Sequence, residues 1–258
     1  MAATNKTTIK AAIRVRAATR VALSRFVTRL VTFASGTVLI VACAHPADRG
    51  PVRVPVASHA ATSVPALERH RGEGPALRKA VHDGVAAYRA RRYRAALAAF
   101  NRVVALRPND VAARYDRGRT HEALHHWRAA ESDLRFVASR RPTLMNARYA
   151  LGIARFHLHH YAVAATDFDR VSRARGHGGT AALDAGISYF KLHRWSTAVA
   201  RFRIAVSERP RSGRARYWLG VAYARTGAKR FAKRELLLAS RSRDRAVRVD
   251  AHAALRQG

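Results

Sequence analysis

The chain is poor in cysteine, in acidic residues and in long apolar runs, and each shortage excludes a class of protein. Its single cysteine, Cys43, allows no internal disulfide, which rules out a disulfide-stabilised secreted scaffold. Only 16 acidic residues stand against 49 lysines and arginines, so the formal net charge of the 258 residues is +33. The hydrophobic share of 48% is that of a globular protein and excludes a wholly disordered chain.

The N-terminal segment has the order of a signal peptide. Its apolar run, Leu30 to Ala42, is shorter than the roughly 20 residues that a spanning helix needs. No acidic residue occurs in residues 1–43, and the segment before the run is basic. A basic segment followed by a short apolar run is typical of an export signal. The basic residues are Lys6, Lys10, Arg14, Arg16, Arg20, Arg25 and Arg29.

The run closes on Ile40-Val41-Ala42-Cys43, which resembles the lipobox of bacterial lipoproteins. The resemblance implies a signal peptide over residues 1–42, lipidation of Cys43, and a place in the bacterial envelope. Ala44 after the cysteine favours the outer membrane, with the protein facing the periplasm. Ordinary cleavage, which would leave a soluble periplasmic or secreted protein, and a mitochondrial presequence stay open as alternatives. A start at Val21 instead of Met1 also stays open, and so does a cytoplasmic protein.

The prolines divide the rest of the chain into two parts. Five of the eight lie close together after Cys43, mixed with alanine, serine, glycine and arginine, which predicts an unstructured tether over residues 43–76. The other three, Pro108, Pro142 and Pro210, are separated by 34 and 68 residues, and this regularity indicates an internal repeat. The prolines of the tether are Pro46, Pro51, Pro55, Pro65 and Pro75.

The glycines confirm a period of 34 residues. One glycine recurs at this spacing five times: Gly84, Gly118, Gly152, Gly186 and Gly220. An alanine follows each glycine after 12 residues: Ala96, Ala130, Ala164, Ala198 and Ala232. A large apolar residue stands four positions further on: Phe100, Leu134, Phe168, Phe202 and Leu236. The first four repeats also carry an aromatic residue nine positions after the glycine, where the fifth has Lys229.

This period and these residues resemble the tetratricopeptide repeat. The resemblance implies an all-α protein, a right-handed superhelix of about five helix-turn-helix repeats with a short capping helix at residues 247–258. The small residues let the two helices of a repeat approach closely, and the prolines end the second helix. The five repeats are predicted at residues 77–110, 111–144, 145–178, 179–212 and 213–246.

Two features of the turns bear on function. The third repeat ends in Arg175-Gly176-His177-Gly178-Gly179 without a proline, which predicts a flexible junction. Histidines recur between the two helices of a repeat, where we expect a positive φ, which histidine adopts more readily than most residues. A chelate formed by His121 and His125 is the weaker alternative, and no metal or cofactor is predicted. The turn histidines are His125, His126, His159, His160 and His193.

In this family the first helices line a concave groove that holds a peptide or a partner helix. By register, the candidate groove residues include aromatic side chains, with arginines between them, and both types are enriched at interface hot spots. The alternative is that some rings, Tyr115 and Tyr149 above all, fill contacts between repeats. The predicted groove residues are Tyr88, Tyr115, Arg119, Tyr149, Phe156, Phe190, Arg214, Tyr217 and Trp218, with further basic candidates at Arg78, Arg89, Lys191 and Arg225.

No catalytic motif is present, so we predict that the protein is not an enzyme. Asp167 and Asp169, two residues apart in a helix, lie on different faces, and we expect them to pair with neighbouring arginines. The sequence predicts a protein-binding scaffold anchored in the bacterial envelope by lipid, which assists the assembly of an envelope machine. In layout it is similar to the pilotins of type IV pili and to accessory lipoproteins of outer-membrane assembly.

The positive charge gives the alternative, a soluble basic adaptor that binds nucleic acid or another polyanion. Removing residues 1–42 leaves the strong excess of arginine in place. Anionic lipid, lipopolysaccharide and acidic cell-wall polymers are candidate partners. Nucleic acid is less favoured, because no recognition motif is present. The excess of arginine is also consistent with compositional bias alone.

Overall fold

The computed structural model describes residues 74–174 and 178–256. The predicted signal peptide, Cys43, the tether up to residue 73 and the Arg175–His177 junction lie outside these residues. The described residues form eleven α-helices and no strand. The helices are α1 (Pro75–Arg89), α2 (Tyr93–Leu106), α3 (Val111–Ala123), α4 (Trp127–Arg140), α5 (Met145–His157), α6 (Tyr161–Ser172), α7 (Gly178–Lys191), α8 (Trp195–Glu208), α9 (Gly213–Arg225), α10 (Lys229–Ala239) and α11 (Arg245–Leu255).

The helices pack in consecutive pairs, which are the five repeats. Each odd-numbered helix from α1 to α9 contacts the helix that follows it, and each pair also contacts the next pair along the chain. The last helix, α11, packs against α9 and α10 and covers the end of the array. This architecture confirms the predicted all-α superhelix with a C-terminal capping helix.

Close approach of the two helices of a repeat depends on the recurring glycine. A Cβ placed at Gly84 would lie 2.7 Å from Phe100 Cε1, and one at Gly186 would lie 2.5 Å from Phe202 Cε1. The other three glycines face the large residue 16 positions ahead in the same way. The recurring alanines are all buried as well. The predicted role of the small residues is therefore confirmed.

The turn inside each repeat has one residue in the left-handed region. These residues are 34 positions apart: Arg91 (φ 57°), His125 (61°), His159 (63°), His193 (59°) and Gly227 (78°). The expected positive φ is confirmed for His125, His159 and His193, whereas His126 (φ −82°) and His160 (φ −78°) have a negative φ and precede the second helices as N-caps. In the fifth repeat a glycine takes the place, because it adopts this conformation without a steric cost.

Prolines and caps set the ends of the helices, as predicted. Pro108, Pro142 and Pro210 each lie two residues beyond the end of a second helix. The next helix then begins at a capping side chain in two of the three cases. Asp110 accepts hydrogen bonds from the Ala112 and Ala113 amides, at 2.8 and 3.0 Å, and Ser212 accepts one from the Ala215 amide.

An ion pair joins the two helices in three of the repeats. The pairs are Arg114 with Asp133 at 3.2 Å, Arg148 with Asp167 at 3.0 Å, and Arg216 with Glu235 at 2.8 Å. The arginine lies on the first helix and the carboxylate 19 residues later on the second.

The fourth repeat has Ala182 and Arg201 at these two positions, and its ion pair runs to the preceding repeat instead. There Arg201 Nε reaches Asp169 Oδ1 at 2.6 Å. Both Asp167 and Asp169 therefore pair with arginines, as the sequence predicts.

Candidate binding face

The first helices of the repeats form one continuous side of the molecule. We call this side, built from α1, α3, α5, α7 and α9, the inner face. Direct contacts join α1 to α3, α3 to α5, and α7 to α9. In a repeat array of this kind such a side is the concave surface. The sequence-predicted groove residues all lie on these five helices.

Trp218 is a core residue, which corrects its assignment to the groove. Only 1% of its surface is exposed. Its ring lies 5.3 Å from that of Phe190 and 6.0 Å from that of Phe202, between two successive repeats. The neighbouring Tyr217 is buried too and meets Trp218 edge to face at 5.8 Å. These rings fill the contact between the fourth and fifth repeats, so they hold the array together.

The tyrosines of the second and third repeats are also buried, as the alternative interpretation had it. Tyr115 packs with Leu134 and Leu151 in an apolar cluster. Tyr149 lies 5.5 Å from the ring of Phe168. Phe156 is buried at the end of α5, edge to face with Tyr161 at 5.1 Å.

Arg119 is buried and paired instead of exposed to a ligand. Its side chain is 6% exposed and forms an ion pair with Glu122, one helical turn ahead. Burial by itself lowers the pKa of Arg119, but attraction to Glu122 and to the phenols of Tyr88 and Tyr115 outweighs it, and the net shift is upward. The guanidinium therefore stays charged inside the inner face.

A second buried polar contact crosses from the third repeat to the fourth. The Tyr149 hydroxyl donates a hydrogen bond to Asp184 Oδ2 on α7, and Asp184 is 0% exposed. Burial, followed by the charge of Asp184, raises the pKa of the Tyr149 phenol, while Arg214 lowers it. The phenol therefore remains protonated and keeps donating to the carboxylate.

Among the predicted groove residues, those that stay accessible lie on α1, α7 and α9. Tyr88 is half-buried, meets Tyr93 edge to face at 5.5 Å, and has its pKa raised to about 12 by burial. Arg214 and Lys191 are also half-buried. The exposed residues of the set are all basic: Arg78, Arg89 and Arg225.

Sequence reasoning missed the carboxylates of the inner face. Asp116, Glu122 and Asp184 lie on the same first helices as the predicted aromatic and basic residues. Asp116 and Asp184 both stand two residues before the recurring glycine of their repeat. Their position in the repeat therefore indicated that they lie on the first helix, beside the predicted groove residues. The inner face therefore carries both signs of charge.

The histidines of the second repeat do not form the His121/His125 pair of the weaker alternative. His121 Nδ1 lies 3.4 Å from Nδ1 of His126, while the His125 ring turns away and lies 5.1 Å from that of Trp127. The left-handed backbone at His125 directs its side chain away from the preceding helix turn. Within the described ranges, no group of three or more potential metal ligands converges.

Comparison with known proteins supports the repeat assignment. The tetratricopeptide repeat family matches at residues 84–124 and 183–230. A search of curated proteins found no match. Together with the fold, the family match confirms that the chain carries tetratricopeptide repeats. Residues 74–174 and 178–256 contain no helix with the length and apolarity required to traverse a bilayer.

Solved structures share the fold at low identity. MamA residues 41 to the end, from Desulfovibrio magneticus RS-1, is 18% identical, with a TM-score of 0.61 over 64% of this chain and 94% of that one. Another MamA structure is 21% identical, with a TM-score of 0.61 over 65% and 91%. YrrB, described as "a TPR protein with an unusual peptide-binding site", is 18% identical, with a TM-score of 0.60 over 77% and 98%.

Proposed function

We propose that this protein is a non-catalytic scaffold whose inner face binds a peptide or protein segment. The repeat fold is that of an interaction module, and YrrB, which shares it, is described as having a peptide-binding site. The observation that carries the proposal is the row of first helices, which presents half-buried Tyr88 at one end and half-buried Arg214 at the other. An aromatic ring and an arginine are the side chains that most often anchor a partner.

The chemistry of this face selects the class of peptide. The exposed charges of the predicted groove set, Arg78, Arg89 and Arg225, are basic, and the carboxylates Glu122 and Asp184 are paired within the protein. A segment with apolar anchors and acidic side chains fits this distribution, because it pairs with the arginines and places its apolar groups against Tyr88.

A displayed library of random peptides tests this proposal with the full chain. We expect enrichment of peptides that combine apolar and acidic residues. The double variant Tyr88→Ala/Arg214→Glu should lose their binding, whereas Arg128→Glu, an exposed charge change on a second helix, should retain it. Equal binding by both variants would place the site elsewhere. Tyr217 and Trp218 are unsuitable for this test, because both are buried and truncating them would open the core.

We further propose that Cys43 is lipidated and holds the scaffold at the bacterial envelope, facing the periplasm, where it assists the assembly of an envelope machine. The support is the signal-peptide order of residues 1–42 and the position of the only cysteine at its end. The intact mass of the mature protein, for wild type and Cys43→Ser expressed in a Gram-negative host, tests this. A diacylglyceryl adduct on wild type alone supports it, and an unmodified cytosolic chain that keeps Met1 contradicts it.

A further inference from the structure

Three positions of the 34-residue period hold the same residue in all five repeats. Two are the glycine and the alanine that pack the hairpins together. The third is an arginine: Arg107, Arg141, Arg175, Arg209 and Arg243. Its four described members, which exclude Arg175, lie at or just beyond the end of a second helix. Its described members are all exposed. The stem of Arg209 lies against α7, since a Cβ at Gly179 would be 3.0 Å from Arg209 Cγ, but the guanidinium groups are not needed for such a contact.

At another exposed position of the period, the residue type differs among the five repeats. The second position of the second helices reads Arg94, Arg128, Ala162, Ser196 and Arg230, and all five are exposed. An arginine-rich composition by itself therefore does not maintain arginine at a surface position in every repeat.

The column differs from the interior arginines in its contacts. Arg148, Arg155 and Arg201 each pair with a buried aspartate. Within the described residues, the side chains of Arg141, Arg209 and Arg243 have neither a hydrogen bond nor an ion pair.

The helix dipole explains this column only in part. A cation at a helix C-terminus is favourable, and Arg141 and Arg209 occupy such caps. In the fifth repeat the cap is Ser240, and Arg243 lies three residues beyond it. Because the dipole effect falls off within the last turn, it does not account for an arginine there.

Further exposed arginines lie beside the column at the same edge of the array. We call Arg140, Arg141, Arg209, Arg211, Arg241 and Arg243 the arginine edge. Equivalent positions of neighbouring repeats are about 10 Å apart, the spacing of packed helices. The segments that connect the repeats contain three acidic residues: Asp110, Glu208 and Asp244. The carboxylates of Asp110 and Asp244 cap the helices that follow them, so Glu208 is the one that does not cap a helix. The edge is therefore strongly positive.

We propose that the arginine edge binds the phosphate groups of an anionic phospholipid surface. Arginine contacts phosphate with two parallel hydrogen bonds, and a negatively charged membrane attracts such rows. Next to Arg107, Leu106 exposes 64% of its surface and is available to the interfacial region. This contact goes beyond the proposed scaffold function and requires neither lipidation nor a peptide on the inner face.

Lipid phosphate is favoured over nucleic acid by what surrounds the arginines. The connecting segments 106–110, 140–144, 208–212 and 240–244 contain no aromatic residue on which a base would stack. The ring of Phe136 lies beside the edge, but Arg114 and Arg140 already cover it, at 4.3 and 5.4 Å from its centroid.

The test uses the full chain with Cys43→Ser, so that no lipid is attached, and vesicles of phosphatidylcholine with or without phosphatidylglycerol. We expect binding only to the vesicles with phosphatidylglycerol, weakening as salt is added. The edge variant Arg141→Gln/Arg209→Gln/Arg243→Gln should bind about 100-fold more weakly. The matched control Arg94→Gln/Arg128→Gln/Arg230→Gln removes the same charge from exposed positions and should change binding by only a few-fold.

Three results would overturn the proposal. Equal losses in the edge variant and its control would mean that net charge alone drives binding. Wild-type binding that does not require phosphatidylglycerol would exclude phosphate recognition of this kind. Binding of duplex DNA that is lost in the edge variant, with vesicle binding unchanged, would assign the edge to nucleic acid. Circular dichroism of both variants verifies that their helices are intact.

Discussion

Close packing between the two helices of a repeat limits the size of the side chains at their contact. Each signature glycine sits against a large side chain of the paired helix at less than the normal contact distance of a Cβ. Buried polar groups are equally constrained, because Asp184 lies wholly inside the protein with the Tyr149 hydroxyl as a donor.

Gly152→Ala should destabilise the protein by about 1–3 kcal/mol, since the added methyl would lie 2.7 Å from Phe168 Cε1 and the core must shift. Urea unfolding measures this loss. Gly74→Ala is the control, because no atom lies within 4 Å of its added Cβ. If the two variants were equally stable, close helix approach would not be the reason for the recurring glycine.

Tyr149→Phe should cost about 1–3 kcal/mol of unfolding free energy, because it removes a donor from a fully buried carboxylate while keeping the ring. The matched change Tyr161→Phe removes an exposed hydroxyl that meets His159 Nδ1 at 2.6 Å, and it should have little effect. Chemical denaturation of both variants gives the comparison. A neutral Tyr149→Phe would show that the buried carboxylate does not need this donor.

At the scale of helices, the sequence predicts pairing and the structure adds how the pairs are joined. The recurring ion pair between first and second helix sets their relative positions in the second, third and fifth repeats. In the third repeat two arginines, Arg148 and Arg155, converge on Asp167.

Asp167→Ala should therefore cost about 3 kcal/mol, because it leaves two mostly buried guanidinium groups without this carboxylate. The control is Asp83→Ala, which breaks an exposed i,i+4 pair with Lys79 and should leave the unfolding midpoint unchanged. Thermal and urea unfolding measure both. Similar small effects in the two variants would mean that the interhelical ion pairs do not stabilise the fold.

Over the whole molecule, burial is greatest in the middle of the array. Every residue from 181 to 188 in α7 is buried, whereas the terminal helix α11 buries only Val247 and Ala251. Stability in a repeat protein is a sum over repeats and their interfaces, so the ends are expected to open first.

Hydrogen exchange measured by mass spectrometry should show this gradient. We expect the amides of α7 to exchange slowest and those of α11 to exchange fastest among the helices, because opening α7 disrupts two repeat interfaces and opening α11 disrupts one. Equal protection of α7 and α11 would indicate that the array unfolds as a single cooperative unit.

The sequence by itself determined the fold, because the residues that pack the two helices of a repeat recur at a fixed spacing of 34 positions. The spacing of Gly84 and its equivalents, with the alanines and prolines, was enough to predict five hairpins. The expected positive φ holds for His125, His159 and His193, but not for His126 and His160. The pairing of Asp167 and Asp169 with arginines was also predictable, since 49 lysines and arginines stand against 16 acidic residues.

The tertiary structure alone decided which residues of the first helices are accessible. Trp218 and Tyr88 are both aromatic residues on first helices of repeats. Trp218 lies between two repeats and is buried, whereas Tyr88 lies near the end of the array, where fewer side chains cover it. Burial depends on the angle at which successive repeats stack, and a 34-residue period does not specify that angle. For the same reason, Arg119 paired with Glu122 inside the fold, while Arg141, Arg209 and Arg243 stayed at the surface.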